Sequence, residues 1–114
     1  MPLPLNVFKT INRIAGTTPV GIYTAPIGYT GVVLLAQATN IGNDTQTITL
    51  CHKRVGKTGI AVTTEIVNEF PISHNDSATL IGGKLVLESG DILVLSASNS
   101  TDIKFLGSIL ETLN

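Results

Sequence analysis

The sequence predicts an all-β fold: a single-domain antiparallel β-sandwich, jelly-roll-like, of about seven or eight strands. Three observations carry this expectation. Short runs of Ile, Val, Leu and Thr recur along the 114 residues, each closed by Gly, Asn, Asp or Pro. Turn signals fall roughly every 8 to 12 residues, the rhythm of sandwiches and barrels rather than of strands joined by helices. Charged residues are only 13% of the chain, about half the ~25% usual in soluble domains, so Thr, Ser and Asn must supply most of the polar surface. No linker or internal repeat divides residues 1–114, and 1–6 are expected to form an extended amino-terminal arm.

From Leu5 to Gly16 the two periodicities compete. Val7, Phe8, Ile11, Ile14 and Ala15 fit a helical stripe, whereas a strand places Lys9 and Arg13 on the odd face. Weak helix formers and the turn Gly16-Thr17-Thr18-Pro19 favour a strand entering a turn. Val20 to Thr24 is a short strand stopped by Ala25-Pro26, because proline lacks the amide a ladder needs. Tyr29 to Ile41 carries apolar residues on both faces through Val32–Ala36, the pattern of a strand buried on both sides, in a core or a subunit interface. Thr45 to Arg54 alternates, Thr45, Thr47 and Thr49 on one face against Gln46, Ile48 and Leu50 on the other. Residues 55–59 make a hairpin tip. Ile60 to Ile72 returns with Ile66, Phe70 and Ile72 on one face, and Pro71 marks an edge or a strand end. Ala78–Leu87 and Asp91–Ser98 flank Glu88-Ser89-Gly90, read as a hairpin with a left-handed glycine. Ile103 to Leu113 closes the fold.

Composition also bounds function. A net charge of −1 creates no long-range field to draw the chain onto nucleic acid or an anionic membrane, so neither is expected as a partner. The single cysteine, Cys51, cannot close an intramolecular disulfide, and folding in the cytoplasm is the simpler expectation. No segment reaches the ~18 apolar residues that mark a membrane helix, and the first residues lack the basic and apolar regions of a secretory signal.

The candidate chemical motifs are each incomplete. Gly56-Lys57-Thr58 ends like a phosphate loop, but the glycine required five residues earlier is Cys51. Cys51 and His52 are adjacent on a strand and point to opposite faces, so they cannot converge on one ion. Glu65 and Glu69 on one strand face lie about 13 Å apart, too far for a glycosidase pair. Asn43-Asp44, Asn75-Asp76 and Asn99/Asp102 could offer oxygen ligands to calcium, and turn formation accounts for them equally well. His52 and His74 are read as surface or turn residues. Tyr23 and Tyr29, flanking one turn, are weak support for sugar stacking. No catalytic residue, cofactor or metal is expected. Lys53, Arg54 and Lys57 form the one local basic cluster.

Ile22-Tyr23-Thr24-Ala25-Pro26 followed by Gly28-Tyr29-Thr30-Gly31-Val32-Val33-Leu34 resembles small β-rich virion structural proteins of tailed bacteriophages. Leu80 through Lys84-Leu85-Val86-Leu87-Glu88-Ser89-Gly90-Asp91, then Leu95-Ser96-Ala97-Ser98, is similar to the closing hairpin of the same proteins. These segments cover most of Ile22 to Ser98 and contain no catalytic residues. The resemblance implies a non-enzymatic protein present in many copies on a virion and folded in the host cytoplasm before assembly. A capsid decoration or cement protein suits it best, a homo-oligomer, expected as a trimer, clamping the major capsid protein. A neck, tail or fibre component is the alternative, including a carbohydrate-binding sandwich. The residues expected to meet partners are Leu3, Leu5, Val7 and Phe8 of the arm and Lys53, Arg54 and Lys57 of the basic cluster.

Overall fold

Where the sequence alternates apolar and polar residues, the chain lies as a strand with its apolar face turned to a second sheet. A computed structural model describes residues 5–56 and 58–114; Leu3 and Lys57 of the expected partner set lie outside them. The strands are β1 (Asn6–Ile14), β2 (Val20–Thr24), β3 (Tyr29–Asn40), β4 (Gln46–Val55), β5 (Ala61–Ile72), β6 (Ser77–Thr79), β7 (Leu85–Leu87), β8 (Ile92–Ala97) and β9 (Ile103–Leu113). The ambiguous first segment is a strand. Its odd face looks inward, with Val7 and Ile11 half-buried.

The first sheet runs β1-β9-β3-β6, with β7 also paired to β3, and the second runs β2-β8-β4-β5, every pairing antiparallel. The chain passes back and forth between the sheets, which is the winding of an eight-stranded jelly roll whose sixth strand is split into β6 and β7. Val33, Ala36, Ala38, Ile103, Phe105 and Ile109 of the first sheet meet Ile48, Leu50, Leu93 and Leu95 of the second, all buried.

The structure corrects two expectations about the strands. Ala78–Leu87 is two strands rather than one. Leu80 to Lys84 leaves the ladder, Gly83 with φ 104° makes the departure, and the interruption faces the bulge of β3 between Val33 and Leu35. Glu88–Gly90 does not close a hairpin: β7 pairs with β3 in one sheet, β8 with β2 and β4 in the other. Gly90 does adopt the left-handed conformation, φ 89°, and the turn carries the chain across the sandwich. Within the chain, β3 is covered on one face, which leaves the other for the subunit interface expected as the alternative to a core. Val33 and Ala36 point inward, whereas Val32, Leu34 and Leu35 look out from the first sheet, Leu34 exposed.

β5 is an edge strand, as Pro71 suggests. Two bulges opposite Thr49 and Leu50–Cys51 each insert one residue. The second insertion restores the phase lost at the first, so Ile66 and Val67, although consecutive, both pack on the core. At the first bulge Glu69 has φ 48°, its amide donating to Thr49 Oγ1 at 2.9 Å. β8 pairs with β4 only as far as Lys53. Beyond it, Arg54–Val55 and Ala61–Val62 pair only with each other, and this projecting hairpin helps give a molecule 48 × 30 × 23 Å in extent.

Candidate functional site

The projecting hairpin is tied to the sandwich by a buried carboxylate. Gly90 turns the chain so that Asp91, 2% exposed, enters beneath the base of β4. Alternation on β4 puts His52 and Arg54 on the same face to meet it. Arg54 grips Asp91 with two parallel bonds, Nε to Oδ1 at 2.9 Å and a terminal nitrogen to Oδ2 at 2.7 Å. His52 Nε2 lies 2.9 Å from Oδ2, and the Glu88 amide donates to the same oxygen at 2.9 Å. Arg54 also pairs with Glu88 at 2.8 Å. Arg54 foremost holds the Asp91 carboxyl well below the usual carboxylate range; burial opposes this, and His52 and the Glu88 amide reinforce it. Asp91 in turn raises the Arg54 guanidinium above its ordinary value.

A second buried acid sits nearby on the first sheet. Glu111, 3% exposed, accepts a hydrogen bond from the Tyr23 hydroxyl at 2.5 Å and pairs with Lys9 at 3.3 Å. Lys9 is thus the charge that the odd face of β1 carries inward. Gly31, opposite Glu111 in the ladder, leaves space for the Tyr23 ring: a Cβ there would lie 3.1 Å from the hydroxyl. Burial, then the hydrogen bond to Glu111, pushes the Tyr23 phenol well above its ordinary range.

At the other end of the sandwich the three Asn/Asp loops gather around Asn40, which is fully buried. Its Nδ2 donates to the carbonyls of Asp44 (2.8 Å) and Ile72 (2.9 Å), and its Oδ1 accepts from the Gly42 amide. Asn99 Oδ1 accepts from Thr101 and Asp102 amides, an Asx turn. Among the described residues no group of three His, Cys, Asp or Glu is placed to hold a metal ion.

The outward face of the first sheet is of another kind. In register across four strands lie Phe8 of β1, Leu110 of β9, Val32 of β3 and Val86 of β7. Phe8 is 74% and Val86 52% exposed. Leu34, Leu35 and Leu106 continue the apolar surface, and among the described strand residues turned to this side only Lys104 is charged.

The expected partner residues are dispersed between these regions. Leu5 and Phe8 are exposed at the edge of the first sheet, while Val7 is half-buried and turned inward. Lys53 is half-buried and lines a cleft on the outer face of the second sheet with Cys51, Thr63, Ile92 and Val94. Arg54 is occupied by Asp91 and Glu88. His52, expected at the surface, is instead half-buried against Asp91, whereas His74 is an exposed turn residue. Asp91 was not visible as a site because Glu-Ser-Gly-Asp reads as an ordinary turn; the apolar row was not visible because it needs the register of four strands.

No protein-family model and no curated protein matches the chain. Solved structures do share its fold. A subunit of the infectious bursal disease virus particle is similar over 97% of this chain, with a TM-score of 0.60 and 11% identity, and this chain spans about a third (32%) of that subunit. The protein of Bacillus endospore appendages, described as disulfide-linked pili, matches over 96% of this chain and 88% of its own, with a TM-score of 0.54 and 18% identity. A chain of the capsid of the Helicobacter pylori bacteriophage KHP30 matches over 96% of this chain and 89% of its own, with a TM-score of 0.53 and 11% identity.

Proposed function

We propose that the chain is a non-enzymatic virion structural protein, a capsid decoration or cement protein of a tailed phage. One observation carries the reading: the described residues form a jelly roll that matches nearly the full length of chains from a phage capsid and a spore pilus. Its surfaces suit that work. The charge-poor outer sheet presents apolar contact area, and the projecting hairpin, held at its base by Asp91, gives a stiff element that can reach a neighbouring subunit. Leu5 before β1, with Leu3 two residues earlier, would contact the major capsid protein, and Lys53 would line the hairpin side of the contact. The likeness to a pilus-forming chain supports a second reading, a component of the neck, tail or a fibre.

Deletion of the gene from its phage, followed by electron microscopy and heating of the particles, tests both. A cement protein leaves filled heads that lose their DNA at lower temperature. Heads without tails, or tails without fibres, favour the second reading. Particles that never contained the chain overturn both.

A further inference from the structure

We infer that the outward face of the first sheet is a self-association surface, and that its occupant is a second copy of this chain packed face to face. The row Phe8–Leu110–Val32–Val86 spans all four strand positions and is centred between β9 and β3. A two-fold axis parallel to the strands and running between β9 and β3 therefore lays the row on itself. Phe8 of each copy falls over Val86 of the other, and Leu110 over Val32.

Area and charge favour this occupant. Four strand positions at about 4.8 Å and nine residues of β1 at about 3.4 Å give a face of roughly 19 by 30 Å. Two such faces hide on the order of 1,100 Å², past the ~1,000 Å² expected of a specific interface. A charged partner would need charges to answer it, and this face has only Lys104. The two-fold operation lays Lys104 against the row of Ile14, Thr39 and Ser77, none of them a carboxylate, and Lys104 can extend its ammonium past the rim to water. A flat sheet face buried on its own copy is isologous and closes at two subunits, so the pair, rather than a trimer, is the unit. The surface does not depend on the virion reading: a chain with no place on a phage would still pair through it, and a monomer could still coat a particle.

Sedimentation equilibrium of the purified chain tests the pairing. The expected species is twice the 12.0 kDa chain, and Val86→Lys or Phe8→Lys weakens the pair at least tenfold, while Ile60→Lys on the projecting hairpin leaves it unchanged. The geometry is read separately in a Cys51→Ala background. Chains with Phe8→Cys are mixed with chains with Val86→Cys and treated with a bis-maleimide whose arm is about 10 Å, the spacing of facing sheets. Mixed chains are expected to cross-link several-fold more than either alone. A chain that stays monomeric at millimolar concentration, a trimer, a pair indifferent to both lysine substitutions, or equal cross-linking of mixed and unmixed chains overturns the inference, whatever the deletion phage shows.

Discussion

At the end of the sandwich where β4 and β5 project, two buried carboxyl groups gather partners from distant strands, Asp91 with Arg54 and His52 and Glu111 with Lys9 and Tyr23, while neutral bonds among Thr30, Ser89 and Asn114 stay at the surface. At the opposite end, the neutral amide of Asn40 ties three loops together. A chain with so few charges has concentrated buried ones where an element must be held away from the core. The projecting strands have no second sheet to bury against, so their position relies on directional bonds to a buried anion. The loops around Asn40 need only to be closed, and a side chain that both donates and accepts does that without a desolvated charge.

Substitutions separate the two ends. The largest effect is expected at Asp91→Ala, which removes the buried carboxylate on which Arg54, His52 and the Glu88 amide converge, and it is read as the largest shift in the urea midpoint. Asn40→Ala follows, at about 2 kcal/mol, because it strands the carbonyls of Asp44 and Ile72. If Asn40→Ala proved the costlier, the contrast between the ends would be broken.

Acid sharpens the same contrast. The folded carboxyl of Asp91 titrates below its unfolded value, so its stabilisation is complete above about pH 4 and is lost as pH falls from there toward the folded value. Stability measured from pH 5 to pH 2 should decline less steeply in Asp91→Asn than in the native chain, while Asn40→Ala should decline in parallel with the native chain. Tyr23→Phe is smaller, about 1.5 kcal/mol for a hydrogen bond to a charged acceptor, measured by thermal unfolding at pH 7. Lys9→Ala is the smallest, below about 1 kcal/mol, since half of the Lys9 side chain stays in water.

Strands β2, β3, β4 and β9 were readable from sequence because Pro, Gly and Asn punctuate them, and in β4 alternation also fixes the inward face. The break between β6 and β7 was signalled only by Gly82-Gly83, inside a run whose Thr, Leu and Val otherwise read as continuous strand. The Glu88–Gly90 turn looked like a hairpin because a short connection with a left-handed glycine has the same local chemistry whether the chain folds back or crosses to another sheet. Of the candidate surfaces, the exposure of Phe8 follows from strand phase, whereas Leu5 precedes the strand. The engagement of Arg54 does not follow from it, because Asp91 lies 37 residues away along the chain and nothing local couples them.

The central place of β9 in the first sheet has a consequence for timing. β9 follows every other strand in the chain and separates β1 from β3, so on a ribosome the row from Phe8 to Val86 has a gap until Leu110 has emerged and inserted. Nascent chains therefore lack the surface on which finished ones would pair. Folding with such distant pairing is slow, on the order of milliseconds to seconds, and premature contact between growing copies is a known route to misassembly; making the central strand after its neighbours delays stickiness until β9 has inserted.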